Sequence, residues 1–142
     1  MPGAGAISDF ILFLFEHNST FRFVYMNEEH KSEADTLANF VGNAVGRWEG
    51  EALIVDSRYF NIAVSSMLDS TGLPFSPQLH AVERYTKRAD GKLDVLVTIE
   101  DPVMYTKSWQ FKRTLEKRPG DDVVEYACGV GDLSTRDTRG GP

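Results

Sequence analysis

Residues 79–100 read LHAVERYTKRADGKLDVLVTIE. Two runs rich in β-branched and aromatic residues, Leu79 to Lys87 and Leu93 to Glu100, flank Asp90-Gly91, a strong hairpin signal. In the second run Leu93, Val95, Val97 and Ile99 alternate with more polar positions, which marks a strand with one buried face. What lies opposite that face depends on the turn. A two-residue turn at Asp90-Gly91 sets Arg84 opposite Val97, Val82 opposite Ile99 and His80 opposite Asp101. A three-residue turn, Ala89-Asp90-Gly91, slips the pairing by one and sets Glu83 opposite Val97 and Tyr85 opposite Val95, because one residue of slip exchanges the two faces. The two-residue turn is favoured, since Asp-Gly most often forms it. Either register carries ionisable groups onto an apolar face.

Hairpin signals recur on both sides. Ile11 to Glu16 and Phe21 to Met26 are aromatic-rich runs joined through His17-Asn18-Ser19-Thr20. Val45 to Glu49 and Ala52 to Tyr59 flank Gly50-Glu51, where glycine leads a two-residue turn of type II′. Ser108 to Leu115 and Val123 to Cys128 flank Pro119-Gly120. These are eight candidate strands in four hairpins. Closing such a sheet removes its exposed edges. The expectation is a mostly all-β fold, an eight-stranded antiparallel up-and-down barrel. One or two short helices are expected at Ser32 to Ala44 and Asn61 to Leu68. The alternative is an α+β curved sheet, a cone with helices in its concave face. One domain spans residues 7–128, and the polar, Gly-rich residues 129–142 form a frayed tail.

Composition narrows the function. Apolar residues make up 42% of the chain and aromatics 11%, enough for one core and for a ligand-lining interior. A net charge of −6 with no basic stripe gives poor electrostatics for nucleic acid or an anionic membrane. The apolar run from Phe10 to Phe15 is too short for a membrane span, and the first residues lack a basic leader, which points to a cytoplasmic protein. Cys128 is the only cysteine and reads as a small buried hydrophobe. The histidines His17, His30 and His80 have no metal-ligand spacing, His17 and His30 reading as loop residues. There is no phosphate loop or nucleophile elbow, so neither a metal nor a cofactor is expected.

Chemistry then falls to proton transfer. Trp48, Leu53, Val55, Ser57 and Tyr59 are read as one inner face, and Trp109, Phe111, Tyr126 and Cys128 as another, with Arg113 the one charge among the latter. His80 assisted by Asp101 is the acid–base unit of the favoured register, with Glu83 the alternative base. Arg84 and Tyr105 would orient oxygen substituents. Each has a plain structural reading as well: His80 a hydrogen-bonded strand residue, Glu83 and Arg84 an ion pair, Asp101-Pro102 a turn.

Several blocks look familiar as a set. Gly46-Arg47-Trp48-Glu49-Gly50 with Leu53-Ile54-Val55-Asp56 resembles the GRWEGDTLVVDT block of a widespread, poorly characterised group of bacterial proteins. Residues 79–85 resemble that group's LHVVERF segment, Asp101-Pro102 with Tyr105 to Trp109 its DDPxxYTKPW segment, and Glu125 to Cys128 its EYVC ending. Glu51-Ala52 and Ser108 depart from the pattern, as does Tyr59 before Phe60. The resemblance implies a lipocalin-like barrel and no established reaction. By motif position it points to Trp48, Asp56, His80, Glu83, Arg84, Asp101, Tyr105 and Trp109.

The function expected is therefore a cofactor-free lyase, isomerase or cyclase. It acts on a hydrophobic, aromatic or polycyclic small molecule bound by Arg84, Tyr105, Trp48, Tyr59, Trp109, Phe111 and Tyr126. The alternative is a non-catalytic carrier of a lipophilic ligand. A homodimer is compatible with either.

Overall fold

The computed structural model describes residues 9–16, 20–36, 39–63, 68 and 72–123. Seven strands form one sheet in chain order: β1 (Phe10–Phe15), β2 (Thr20–Met26), β3 (Asn43–Glu49), β4 (Ala52–Arg58), β5 (His80–Lys87), β6 (Leu93–Glu100) and β7 (Trp109–Leu115). The expected eighth strand from Val123, with Tyr126 and Cys128, and the expected tail lie outside the described residues.

The sheet is mixed, which corrects the up-and-down antiparallel expectation. β2 and β3 run parallel, with Val24 opposite Ala44 and Met26 opposite Gly46, while every other neighbouring pair is antiparallel. A parallel pair needs a long crossover, and residues 27–42 supply it. The described residues of the region expected as the first helix hold a short 3-10 turn, Glu33–Asp35, an isolated bridge from Asn39 to Phe60 and the start of β3. No α-helix occurs among the described residues, and residues 64–67 of the second expected helix lie outside them. At Gly46 the parallel strands come close enough that a Cβ would lie 2.7 Å from Val24 Cγ1 and 2.8 Å from Met26 Sδ, so glycine is what lets β2 seat against β3.

The β5–β6 register is the second correction. Glu83 pairs with Val97 and Tyr85 with Val95, the slipped alternative and not the favoured one. The cause lies in the turn. The Gly91 amide donates to the Arg88 carbonyl (3.0 Å) and the Arg88 amide to the Lys92 carbonyl (2.8 Å), closing a three-residue loop. Gly91 itself sits at φ +83°, the left-handed position that follows a type I turn in such loops. At the β3–β4 turn the expectation holds: Trp48 pairs with Leu53 around Gly50, whose φ is +62°.

The sheet curls strongly. β1 and β5 are four strands apart, about 19 Å in a flat sheet. Yet the Phe13 and Tyr85 rings meet edge to face at 5.5 Å. The concave side carries two apolar clusters. One is built on Val24, Ala44, Leu53 and Val55, the other on Phe75, Leu79, Val95, Val97 and Ile99. Burying each such aliphatic side chain contributes about 2 kcal/mol. The result is a half-barrel of seven strands; among the described residues β1 and β7 are not paired with each other.

Candidate functional site

Two inward positions break the middle of the apolar concave surface with opposite charges, while Lys87 and Arg113, also inward, are exposed towards its edge. Arg22, on β2, stands among Val24 and the Phe13 that pairs with it; Glu83, on β5, stands between Val55 and Val97. The curl brings them together, with Arg22 Nη1 2.7 Å from Glu83 Oε2. Tyr85, two residues along β5, donates its hydroxyl to Glu83 Oε1 (2.9 Å) and accepts from Arg22 Nη2 (3.3 Å). The guanidinium lies over the Phe13 ring at 5.0 Å, a cation–π contact that holds it off the solvent.

Charge burial sets the properties of this cluster. Arg22 is only 9% exposed. Two ions in such a place stabilise the fold only while they neutralise each other. Burial, and then the neighbouring Glu83 charge, push the Tyr85 hydroxyl well above its ordinary value, so it stays a proton donor across physiological pH. The cluster is also incompletely satisfied. Arg22 Nε and Glu83 Oε2 have no well-aligned hydrogen-bond partner among the described residues, nor has the indole N–H of Trp109. Arg22, Glu83 and Trp109 line a hollow of about 560 Å³ with Val97, Ile99 and Phe111. That size suits a small organic molecule.

The other expected site residues fall elsewhere. His80 and Arg84 lie on the convex face, contrary to the favoured register. Arg84 donates to Glu49 at 2.8 Å on the exposed surface. The His80–Asp101 pair is not formed. His80 instead has Nε2 2.9 Å from Asp56 Oδ2 and Nδ1 3.0 Å from Glu100. Asp101, 2% exposed, accepts from the amide and hydroxyl of Ser76 (2.6 and 2.8 Å) and from the amides of Val103 and Met104 (3.1 and 3.2 Å). Burial pushes its carboxyl up, but those bonds outweigh it and hold it below the ordinary range. Tyr105 gives its hydroxyl to the Pro74 carbonyl (2.7 Å) and packs its ring on Trp109. Tyr59, at φ +59°, leaves the inner face at the end of β4 and packs its ring edge on His30. Trp48 is inward but at the rim. Trp109 and Phe111 are brought together in the hollow, with the Arg113 guanidinium lying over the Phe111 ring.

Arg22 was not singled out from the sequence, although a lone charge at an inward position between aromatic neighbours was a usable signal. His30, read as a loop residue, belongs to a convex cluster: its Nε2 lies 2.7 Å from Asp56 Oδ1 and its Nδ1 3.2 Å from Asn43. Burial pushes the Asp56 carboxyl up, but the hydrogen bonds from His80 and His30 outweigh it and hold it at about 2. Asp56 in turn raises His80, against the lowering effect of burial. No group of ligands able to hold a metal occurs among the described residues.

This cluster has a pH signature. The stabilisation from His80 is complete below its unfolded value of 6.5 and fades as pH rises through the higher folded value. That from Asp56 is complete above 3.8 and fades as pH falls towards about 2. Both are present together from about pH 4 to 6.5. Asp56→Asn is expected to remove about 2 kcal/mol there and to flatten the profile. Urea unfolding at about pH 3, 5.5 and 9 reads it. An unchanged profile would mean that the bridging carboxylate is not its source.

No family model, no curated protein and no solved structure matches the chain. What it does must be argued from its own side chains.

Proposed function

We propose that the chain is a cofactor-independent acid–base enzyme of the lyase, isomerase or cyclase type. Its substrate would be a hydrophobic, aromatic or polycyclic molecule held in the concave face of the sheet. The observation that carries this reading is a half-buried carboxylate, Glu83, whose Oε2 lies against Arg22 without a well-aligned donor and which borders an apolar hollow. Glu83 takes the acid–base role, and His80 with Asp101 leave it. In this mechanism Glu83 Oε2 accepts a proton from an activated C–H or O–H of the substrate and can return it at a second position. Arg22 and the Trp109 N–H are donors for an oxyanion that develops nearby. Tyr85, held in its protonated form, steadies Glu83 through the hydrogen bond to Oε1.

The proposal includes closure of this mixed sheet into an eight-stranded barrel, lipocalin-like in its interior cavity and not in its strand connectivity; seven strands lie among the described residues. It also includes a cytoplasmic setting. Among the described residues no helix is long and apolar enough to cross a membrane. A carrier without chemistry is the second reading, favoured by the mutual neutralisation of Arg22 and Glu83.

The test is deuterium exchange into the α positions of 2-tetralone, a hydrophobic aryl ketone, followed by NMR. Exchange above the buffer rate is expected with the natural chain. Glu83→Gln should reduce it by about a hundredfold or more, the usual share of a positioned base. Saturable binding of the ketone with exchange at the buffer rate supports the carrier and ends the enzyme reading.

A further inference from the structure

The hairpin ends of the half-barrel enclose a second and larger hollow, of about 760 Å³. Its wall is apolar: Phe13 and Phe15 of β1, Leu53 of β4, Leu93 of β6 and Leu115 of β7, with Trp48 at the rim. Three of these are left substantially in solvent, Trp48 at 58%, Leu115 at 48% and Phe15 at 41%. Large apolar groups gathered around one concavity mark a surface meant to be covered. Charge at its mouth is uneven. Lys87, at the end of β5, and Lys92, beyond the turn, both line it, against the single acid Glu51 in the β3–β4 turn. Lys92 is tied to Glu116. Lys87 sits on the inward face opposite Leu93 and makes no ion pair with any carboxylate among the described residues. Its alkyl stem can lie along the apolar wall while its ammonium stays at the mouth.

We infer that this hollow binds an anionic amphiphile, a medium-chain carboxylate, with its chain against Phe13, Leu53 and Leu93 and its head group on Lys87. Tyr85 borders this hollow as well as the Glu83 cluster, but the head-group contact on Lys87 does not use Glu83 and stands whether or not the acid–base reading does. A neutral chain would gain the apolar burial alone, whereas a carboxylate adds a charge-assisted hydrogen bond to a free cation.

Calorimetric titration of the whole chain with dodecanoate, below its critical micelle concentration, tests this beside dodecanol. Saturable binding of dodecanoate is expected, about tenfold or more tighter than dodecanol. Lys87→Met keeps the apolar stem and should erase that difference while leaving dodecanol binding unchanged. Leu115→Asp, at an exposed rim position, should weaken both ligands. The inference is overturned if dodecanol binds as tightly as dodecanoate, if Lys87→Met leaves the difference intact, or if Leu115→Asp affects neither ligand. Lys87→Met should also leave 2-tetralone exchange unaltered, so failure here and failure of the acid–base reading show up in separate measurements.

Discussion

Replacing Arg22 with Met destabilises the protein by about 3–5 kcal/mol, the largest loss expected from a single change in the concave face. The figure does not measure how much the ion pair favours folding. It comes from what remains: Glu83 loses the cation 2.7 Å from its Oε2 while staying in a place from which water is largely excluded. Tyr85 still donates to Oε1, but one neutral hydrogen bond cannot replace a counter-ion. The loss should appear in urea unfolding as a midpoint lower by about 2 M, given slopes of about 1–3 kcal/mol per molar for small domains. The double variant Arg22→Met with Glu83→Leu should recover most of it, because burying two apolar side chains of similar volume avoids the desolvation of both charges. The coupling from that cycle separates an ion pair that matters as a pair from two residues that each pack well. A loss under about 1 kcal/mol for Arg22→Met would mean that solvent screens the pair, as it does at exposed surfaces. The acid–base reading of Glu83 would then lose its low-dielectric setting.

The contrast between Arg22–Glu83 and His80–Asp101 shows how far the sequence could be read. Alternation placed the β3–β4 face, Tyr59 excepted, and the β6 face correctly, since Trp48 opposite Leu53 and the Leu93–Ile99 stripe depend only on a period of two. The β5 face failed because it depended on one backbone torsion. Asp-Gly serves both a two-residue and a three-residue loop, with a left-handed glycine in each; what tells them apart is Asp90, left-handed in the first and not here, and the bond from the Arg88 amide to the Lys92 carbonyl. That single residue of slip put Glu83 and Tyr85 inside and sent His80 to the convex face. The partners of Glu83 were harder to find. Arg22 lies three strands away in the sheet, and its approach depends on the curl and on the parallel β2–β3 pair, which no local pattern announces. Asp56 was legible only through the resemblance of its block. Its role as a bridge between His30 and His80 needs one loop and two strands in place at once.

Asp101→Ala should be nearly as damaging as Arg22→Met, at about 3 kcal/mol or more, although nothing about it concerns chemistry. Among the described residues its carboxylate is the acceptor for Ser76 Oγ and for the Val103 amide, and it also takes the Ser76 and Met104 amides. Those bonds pin the segment before β5 to the turn that follows β6, at the edge of the Phe75, Leu79 and Ile99 cluster. Alanine leaves the two buried Ser76 donors and the part-buried Val103 amide without this acceptor, each costing about 1–3 kcal/mol less whatever water regains. Asparagine preserves the shape and one acceptor oxygen but turns the other into a donor facing donors, so Asp101→Asn should fall between alanine and the natural residue. The carboxyl is held below its ordinary value of 3.8, so its contribution is complete above that pH and fades as pH falls through the folded value. The loss on substitution should therefore shrink in acid. The two roles open to this residue separate cleanly in such an experiment. A structural Asp101 lowers the unfolding midpoint and leaves 2-tetralone exchange per folded molecule unchanged. A partner to a catalytic histidine would do the reverse, abolishing exchange in a protein as stable as the parent.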